Sequence, residues 1–259
     1  MTRSHDAVVE AQFGARAEAY VASAVHAEGD DLDAVEEIAR RARPDRALDL
    51  GSGGGHVAYR LARHARSVVA VDLSAAMLDA VNEAARQRGL SNIETCVAPA
   101  ERLPFDDASI DLLACRYSAH HWRDWQAGLR EARRVLKPGA TAIFIDVISP
   151  GHAAFDTHLQ AIELLRDPSH VRDYTEAEWS AALAQAGFRV RRTEKRRLRM
   201  DYRSWVDRMR TPETHRTAIR SLQHMASAQT AAYFAIEADG SFSIDAMQIE
   251  ATACRAREA

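Results

Sequence analysis

Apolar positions along this chain alternate between two spacings, one suited to helices and one to buried strands. Residues from about 5 to 27 read as a polar, alanine-rich helical arm. Leu32, Val35, Ile38 and Ala42 follow at helical spacing, and Pro44 ends that helix. Arg46 to Leu50 is a short apolar strand. Val57, Leu61 and Ala65 mark one face of a second amphipathic helix, and Ser67 to Val71 forms the next strand. Ser74 is placed to cap a helix carrying Met77, Leu78, Val81 and Ala84, which Gly89 stops. Asn92 to Val97 and Ser109 to Cys115 give a third and a fourth strand around the loop Leu103-Pro104-Phe105-Asp106-Asp107. Trp125, Leu129, Ala132 and Leu136 make a helical stripe, Lys137-Pro138-Gly139 a sharp stop, and Ala140 to Ile148 a fifth strand. That strand is β-branched and nearly continuously apolar, as expected of a parallel strand covered on both faces. Strands alternating with helices predict an α/β fold with right-handed crossovers.

The pattern changes after residue 149. A helix is expected around Phe155, Leu159 and Ile162. Thr175-Glu176-Ala177-Glu178 is a capping box opening a helix with Trp179 and Leu183, closed by Gly187. Phe188 to Met200 is a weak strand candidate whose arginines suit a solvated edge, where charge blocks unwanted pairing. Its alternative use is contact with an anionic substrate or RNA. Helices are expected from Tyr202 to Glu237, with Trp205, Val206, Met209, Ile219, Leu222 and Met225 packing onto the core or, as the alternative, lining the acceptor pocket or a dimer contact. The alternation of Met247, Ile249, Ala251 and Ala253 marks a last strand.

Composition narrows the classes. The 259 residues carry a formal charge of -3, which gives no general attraction for nucleic acid. Cys96, Cys115 and Cys254 are too few and too scattered for a disulfide framework or a zinc ribbon, and read as buried small residues in a reducing compartment. The first residues lack a continuous apolar core of a signal peptide, and no stretch is long enough to span a bilayer. A soluble cytoplasmic protein is the expectation. Grouping His120 or His121 with His152, Asp156 and His158 fits no familiar metal site, so no metal is expected.

The chemistry concentrates at Asp49-Leu50-Gly51-Ser52-Gly53-Gly54-Gly55-His56, a glycine turn between strand and helix. Asp72 follows at the tip of the next strand. Such a βαβ unit holds a nucleoside, with the carboxylate on the ribose hydroxyls. In a dinucleotide site the spacing G-x-G-x-x-G would put a third glycine at His56; here it stands at Gly55. Asp49 would repel phosphates and welcome an ammonium group. Both features favour S-adenosylmethionine over a nicotinamide dinucleotide, so a NAD-dependent dehydrogenase is the rival reading. A non-catalytic S-adenosylmethionine-binding module is a third.

These segments resemble the class I S-adenosylmethionine-dependent methyltransferases, in the branch containing the ubiquinone and menaquinone biosynthesis enzymes. Leu48 to Gly55 is similar to their first motif and Val71-Asp72-Leu73-Ser74 to their acidic loop. Ala98 to Phe105 resembles the adenine-contacting segment, and Arg134 to Gly139 the post-catalytic helix and turn. The resemblance covers about residues 10 to 150. It implies a Rossmann-like, doubly wound sheet of seven strands in the order 3-2-1-4-5-7-6, mostly parallel, with helices on both faces and helical insertions near the C-terminus. It implies one domain over 1–259: an arm (1–44), a cofactor core (45–148), and substrate-side helices with the last two strands (149–259).

The cofactor residues expected are Tyr20, Asp49, Gly51, Ser52, Gly53, Gly55, Asp72, Leu73, Met77, Ala100, Glu101 and Arg116. Of these, the roles of Ala100, Glu101 and Arg116, and of Tyr20 as an arm residue closing over the methionine end, come from the resemblance. His120 and His121 are catalytic candidates, because a histidine near neutrality suits an acceptor that must lose a proton, and the resemblance adds Tyr117, which follows the fourth strand where the family contacts methionine and acceptor. The two histidines are not separable from sequence. The acceptor expected is a small molecule, on oxygen, nitrogen or carbon. Arg116-Tyr117-Ser118-Ala119-His120 stands where base-methylating enzymes carry Asn/Asp-Pro-Pro-Tyr/Phe, so nucleic acid is not expected. A homodimer stays open.

Overall fold

The computed structural model describes residues 4–14 and 29–255. Tyr20 lies outside the described residues. The elements in chain order are α1 (His5–Gly14), α2 (Asp30–Ala42), β1 (Arg46–Leu50), α3 (His56–Ala62), β2 (Ser67–Asp72), α4 (Ala75–Gln87), β3 (Ile93–Val97) and β4 (Ile110–Arg116). A 3-10 turn (Ala119–His121) leads to α5 (Trp125–Val135), β5 (Leu136–Ile148), α6 (Ala153–Arg166), α7 (Glu176–Gln185) and β6 (Phe188–Met200). The chain continues through α8 (Tyr202–Arg208), α9 (Glu213–His224), α10 (Ala228–Tyr233) and β7 (Phe242–Ala253).

All seven strands form one sheet in the order β3-β2-β1-β4-β5-β7-β6, as expected. The first five pair in parallel; β7 runs antiparallel to both β5 and β6. Period-two alternation decides which face each residue serves. Leu48 and Leu50 of β1, with Val69 and Val71 of β2, join α5 and α7 on one face. Ala47, Val68 and Ala70 meet α2, α3 and α4 on the other. Each leucine or valine so buried contributes roughly 1.5–3 kcal/mol of transfer free energy. A third cluster, with Leu159, Trp205, Ile219, Phe234, Phe242 and Ile244, holds the C-terminal helices to the end of β7.

Local signals account for most helix ends. Ser74 Oγ accepts the Met77 amide, and the Thr175–Glu178 capping box is formed on both sides. Arg43 adopts φ 43° after α2, just before Pro44. Three expectations need correction. Lys137-Pro138-Gly139 does not precede the fifth strand; Leu136 already pairs with Ile110, the tripeptide bulges out, and pairing resumes at Thr141. Met225 is 73% exposed, since α9 ends one residue earlier and turns its tip to solvent. Only Cys115 is buried; Cys96 and Cys254 are half-buried, and all three are free thiols. Among the described residues, no helix is long and apolar enough to cross a membrane.

Candidate active site

The sheet changes direction between β1 and β4, where one crossover leads away toward β2 and the other toward β5. Loops leaving the carboxyl ends of two such strands diverge and leave a crevice. Here a cavity of about 760 Å³ opens at that point. Its first lobe is lined by the glycine turn, Asp49, Asp72, Leu73, Met77, Ala100, Glu101, Arg116 and Tyr117.

The glycine turn is built by backbone geometry. Gly51, Gly53 and Gly55 have φ of 73°, 47° and 76°, a left-handed region that side chains disfavour. A Cβ on Gly51 would lie 2.5 Å from Ser118 Cβ, so the turn packs against the loop after β4. A Cβ on Gly55 would lie 2.8 Å from the Tyr59 ring and 2.9 Å from Val81. Gly55 thus provides the close helix packing that a dinucleotide fold obtains from a glycine one place later. A Cβ on Gly53 would meet nothing within 4 Å. That side of the turn faces open space, and the buried Ser52 hydroxyl beside it has no protein partner.

The two carboxylates are held by amides. Asp49 shares its face of β1 with Ala47 and so meets the start of α3, where its Oδ2 accepts the Ala58 N–H at 2.9 Å. It satisfies one of the helix's unpaired amides, which Gly55 has no side chain to do. Burial, with Asp72 nearby, pushes the Asp49 carboxyl up to about 7. Asp72 accepts from Gly53 N–H at 2.9 Å and from Ser74 N–H at 3.0 Å, and burial raises it too. Two buried carboxyls that ionise reluctantly make a place that favours a positive charge. The opposite wall carries an ion pair that sequence reasoning missed: Arg116 Nε donates to Asp31 Oδ2 at 2.6 Å, both side chains being less than a tenth exposed. Glu101 accepts the Asp124 N–H at 3.0 Å, which ties the Ala98–Phe105 segment to the start of α5. Tyr117 adopts φ 50°, and burial raises its phenol to about 12, so it stays protonated at neutral pH.

The two histidines occupy different environments. His120 Nδ1–H donates to Asp146 Oδ1 at 2.6 Å, and its backbone N–H to Oδ2 at 3.2 Å. Burial disfavours the imidazolium, but the charge and hydrogen bond of Asp146 outweigh it, and His120 is held up to about 9. His121 Nδ1–H donates to the Ser169 carbonyl at 3.2 Å, its own carbonyl accepts from His5 Nε2–H at 2.8 Å, and Phe13 packs edge-on against its ring. Burial and the neighbouring His120 push it down to about 3. His152 and His158 pack against Phe155 and Phe234, away from this pair. Among the described residues, no cluster of three or more His, Cys, Asp or Glu is placed to hold a metal ion.

Beyond His120 the cavity continues into a second lobe lined by α6, the 167–173 loop, β6, α8 and β7, including Glu163, Asp173, Met200 and Trp205. The family model described as "Methyltransferase domain" matches residues 48–144, which carry the crevice. The Bacillus subtilis protein YcgJ, described as a methyltransferase, is 33% identical over 83% of this chain and 85% of its own length.

The chain belongs to the class I S-adenosylmethionine-dependent methyltransferases.

The crystal structure of YcgJ superposes on this methyltransferase with a TM-score of 0.83 at 30% identity, covering 87% of this chain and 98% of that one. Protein YafE of Escherichia coli strain K12 is 46% identical over 76% of this chain and 95% of its own length. The ubiquinone/menaquinone biosynthesis C-methyltransferase UbiE of Rubrivivax gelatinosus is 38% identical, but over only 40% of this chain and 39% of its own. The methyltransferase binds S-adenosylmethionine, and the residues fit it: an open turn at Gly53, an unpartnered hydroxyl at Ser52, and paired carboxyls where phosphates would be repelled.

Proposed function

We propose that this methyltransferase transfers the methyl group of S-adenosylmethionine to a small molecule held in the second lobe. The observation that carries the reading is the continuity of the cofactor crevice with that lobe, with His120 lining their common cavity. The cofactor supplies a methyl group already activated on a sulfonium, so positioning the acceptor accounts for much of the rate.

In this reading Asp72 accepts from the ribose hydroxyls, using lone pairs left over from Gly53 and Ser74. Gly51, Ser52, Gly53 and Gly55 form the floor. Asp49 faces the ammonium group directly or through water, and the Asp31–Arg116 pair offers both charges to the zwitterionic methionine end. Leu73 and Met77 pack on the nucleoside, with Ala100 and Glu101 beside the adenine. His120 is the residue at the acceptor, Tyr117 shapes the passage between the lobes, and His121 braces the turn from behind. The acceptor is selected by residues 149–255, and the core at 45–148 serves the cofactor. The protein works in the cytoplasm on a small molecule, not on nucleic acid; sedimentation decides between monomer and homodimer.

Calorimetry with S-adenosylhomocysteine tests the cofactor roles. Wild type binds, and Asp72→Ala loses at least tenfold, as expected when charge-assisted hydrogen bonds are removed. Unchanged affinity in Asp72→Ala removes that residue from the site.

A further inference from the structure

Buried polar groups ordinarily find a partner, and an exception on a cavity wall calls for a reason. The second lobe holds such an exception. Asp173 is 2% exposed and lines the cavity, yet its Oδ2 has no hydrogen-bond partner. The loop around it is rigid. Asp173 N–H donates to Gln160 Oε1 at 3.1 Å, and Gln160 Nε2–H donates to the Asp173 carbonyl at 2.8 Å. On one side Val171 N–H and Arg172 N–H donate to the His120 carbonyl at 2.9 and 3.2 Å; on the other, Ser149 N–H donates to the Tyr174 carbonyl at 3.1 Å. Residues 171–174 are therefore tied down, and no small movement of the loop carries the carboxyl out to water.

The polar neighbours are engaged elsewhere. Glu163 pairs with Arg166 at 3.1 Å, Asp167 accepts from Ser169 N–H and Oγ–H, and His170 Nε2–H donates to Gln160 Oε1 at 2.8 Å. Burial, then the Glu163 charge, works against ionisation of Asp173, while the His120 and Arg166 charges work for it. The proton does not decide what the carboxyl can hold. A carboxylate accepts hydrogen bonds, and a neutral carboxyl still accepts one at its carbonyl oxygen. A hydroxyl or an amine satisfies both forms, since it donates to that oxygen and can accept from the acid O–H. The rest of the wall is mixed, with Met200, Trp205 and Ile244 beside Arg166, Arg196 and Arg208, and sets no sign of charge on a ligand. Leaving a buried carboxyl oxygen without a partner costs stability, and a chain retains that cost where function recovers it.

We infer that Asp173 is a specificity residue of the second lobe, whose carboxyl takes a hydrogen bond from a hydroxyl or amine group of the small molecule bound there. The inference deepens the methyl-transfer reading and rests on it. A ligand without such a donor leaves the carboxyl unpartnered and is rejected for that reason, as buried polar groups reject analogues that lack the matching group. Hydroxyl and amine share this chemistry, and the probes below separate them.

Two measurements test it. The first uses no ligand: urea unfolding of the full chain with and without Asp173→Asn, which keeps the side-chain shape. A carboxyl that holds the fold together loses stability on this change. Asp173 is expected to keep the wild-type midpoint or raise it, and a lower midpoint overturns the inference. The second follows the Met200 methyl signal by NMR in the full chain saturated with S-adenosylhomocysteine. The probes are phenol and aniline against toluene, which has nearly the same size and no donor. At least one of the donor-bearing probes is expected to bind about threefold to tenfold tighter than toluene, the size of one hydrogen bond. Preference for phenol assigns a hydroxyl, and preference for aniline an amine. Asp173→Ala removes the preference. Equal affinity of all three probes in wild type, a preference that survives in Asp173→Ala, or a Met200 signal that no probe moves while S-adenosylhomocysteine still binds overturns the inference. Failure of S-adenosylhomocysteine itself to bind fails the underlying reading instead.

Discussion

Replacing Asp146 by Asn changes one charge in the interior and keeps the side-chain shape. In the native protein His120 rises from 6.5 to about 9. A tenfold change in proton affinity is worth about 1.4 kcal/mol, so the imidazolium form is favoured in the fold by roughly 3 kcal/mol. The sign follows from the direction. A histidine with a raised folded pKa adds its full stability below pH 6.5, and that stability is lost as pH rises through about 9. Of the total, about 2 kcal/mol disappears between pH 7.5 and 10. Asp49, raised to about 7, acts in the same direction but mainly below that window. Urea unfolding at pH 7.5 and 10 measures the loss, and comparing wild type with Asp146→Asn isolates the part that depends on the Asp146 charge. In the variant the charge and hydrogen bond of Asp146 are gone, burial again disfavours the imidazolium, and the loss of stability across the window is smaller than in wild type by up to about 2 kcal/mol. The histidine Cε1–H resonance gives the same answer by NMR. Equal pH dependence in both proteins, or a His120 titration near 6.5 in wild type, refutes the dyad as drawn.

Other substitutions separate packing from ligand space. Gly51→Ala, strained at φ 73° and driven against Ser118, loses about 1–3 kcal/mol of stability by denaturant unfolding. Gly53→Ala costs only about 1–2 kcal/mol for its left-handed backbone, yet lowers S-adenosylhomocysteine affinity in calorimetry because its methyl enters open space. Gly128→Ala, although better suited to a helix, sets a Cβ 2.7 Å from Trp122 Cζ3 and lowers thermal stability by about 1–3 kcal/mol; a neutral result would show that the ring can shift. Arg116→Leu strands the Asp31 carboxylate and costs about 3–5 kcal/mol, most of it recovered by adding Asp31→Leu.

The cofactor half was legible because its signals are local. A glycine turn, the acid before it and the acid ending the next strand lie within one βαβ unit, and their positions follow from strand and helix geometry alone. The sheet order came through resemblance, not through periodicity. What stayed hidden depends on partners distant in sequence. Asp146 is the one charge in the apolar run 140–148, and its parity with Ala142, Phe144 and Ile148 could have marked it as buried. Nothing in the sequence shows that it faces His120 and not His121. Asp31 was masked by convention, since acids at a helix start ordinarily complement the helix dipole. Asp173 sits in a polar loop whose path across the histidine turn only tertiary contacts fix. The arginines of β6 were read correctly as an edge, but Arg196 to Arg199 also reach the cavity.

The interleaving of the last two strands has a bearing on biosynthesis. β6 is complete at Met200, but among the described residues its sole neighbour in the sheet is β7, which starts at Phe242. At a translation rate of about 5–20 residues per second, the ribosome needs seconds to add residues 201–241, and throughout that interval β6 waits without a partner. Its row of arginines is what a nascent segment needs to stay in water and refuse other chains. Residues 48–144 are all made before β6 begins, whereas the part of the cavity wall that β6 and β7 supply closes only after the final zip.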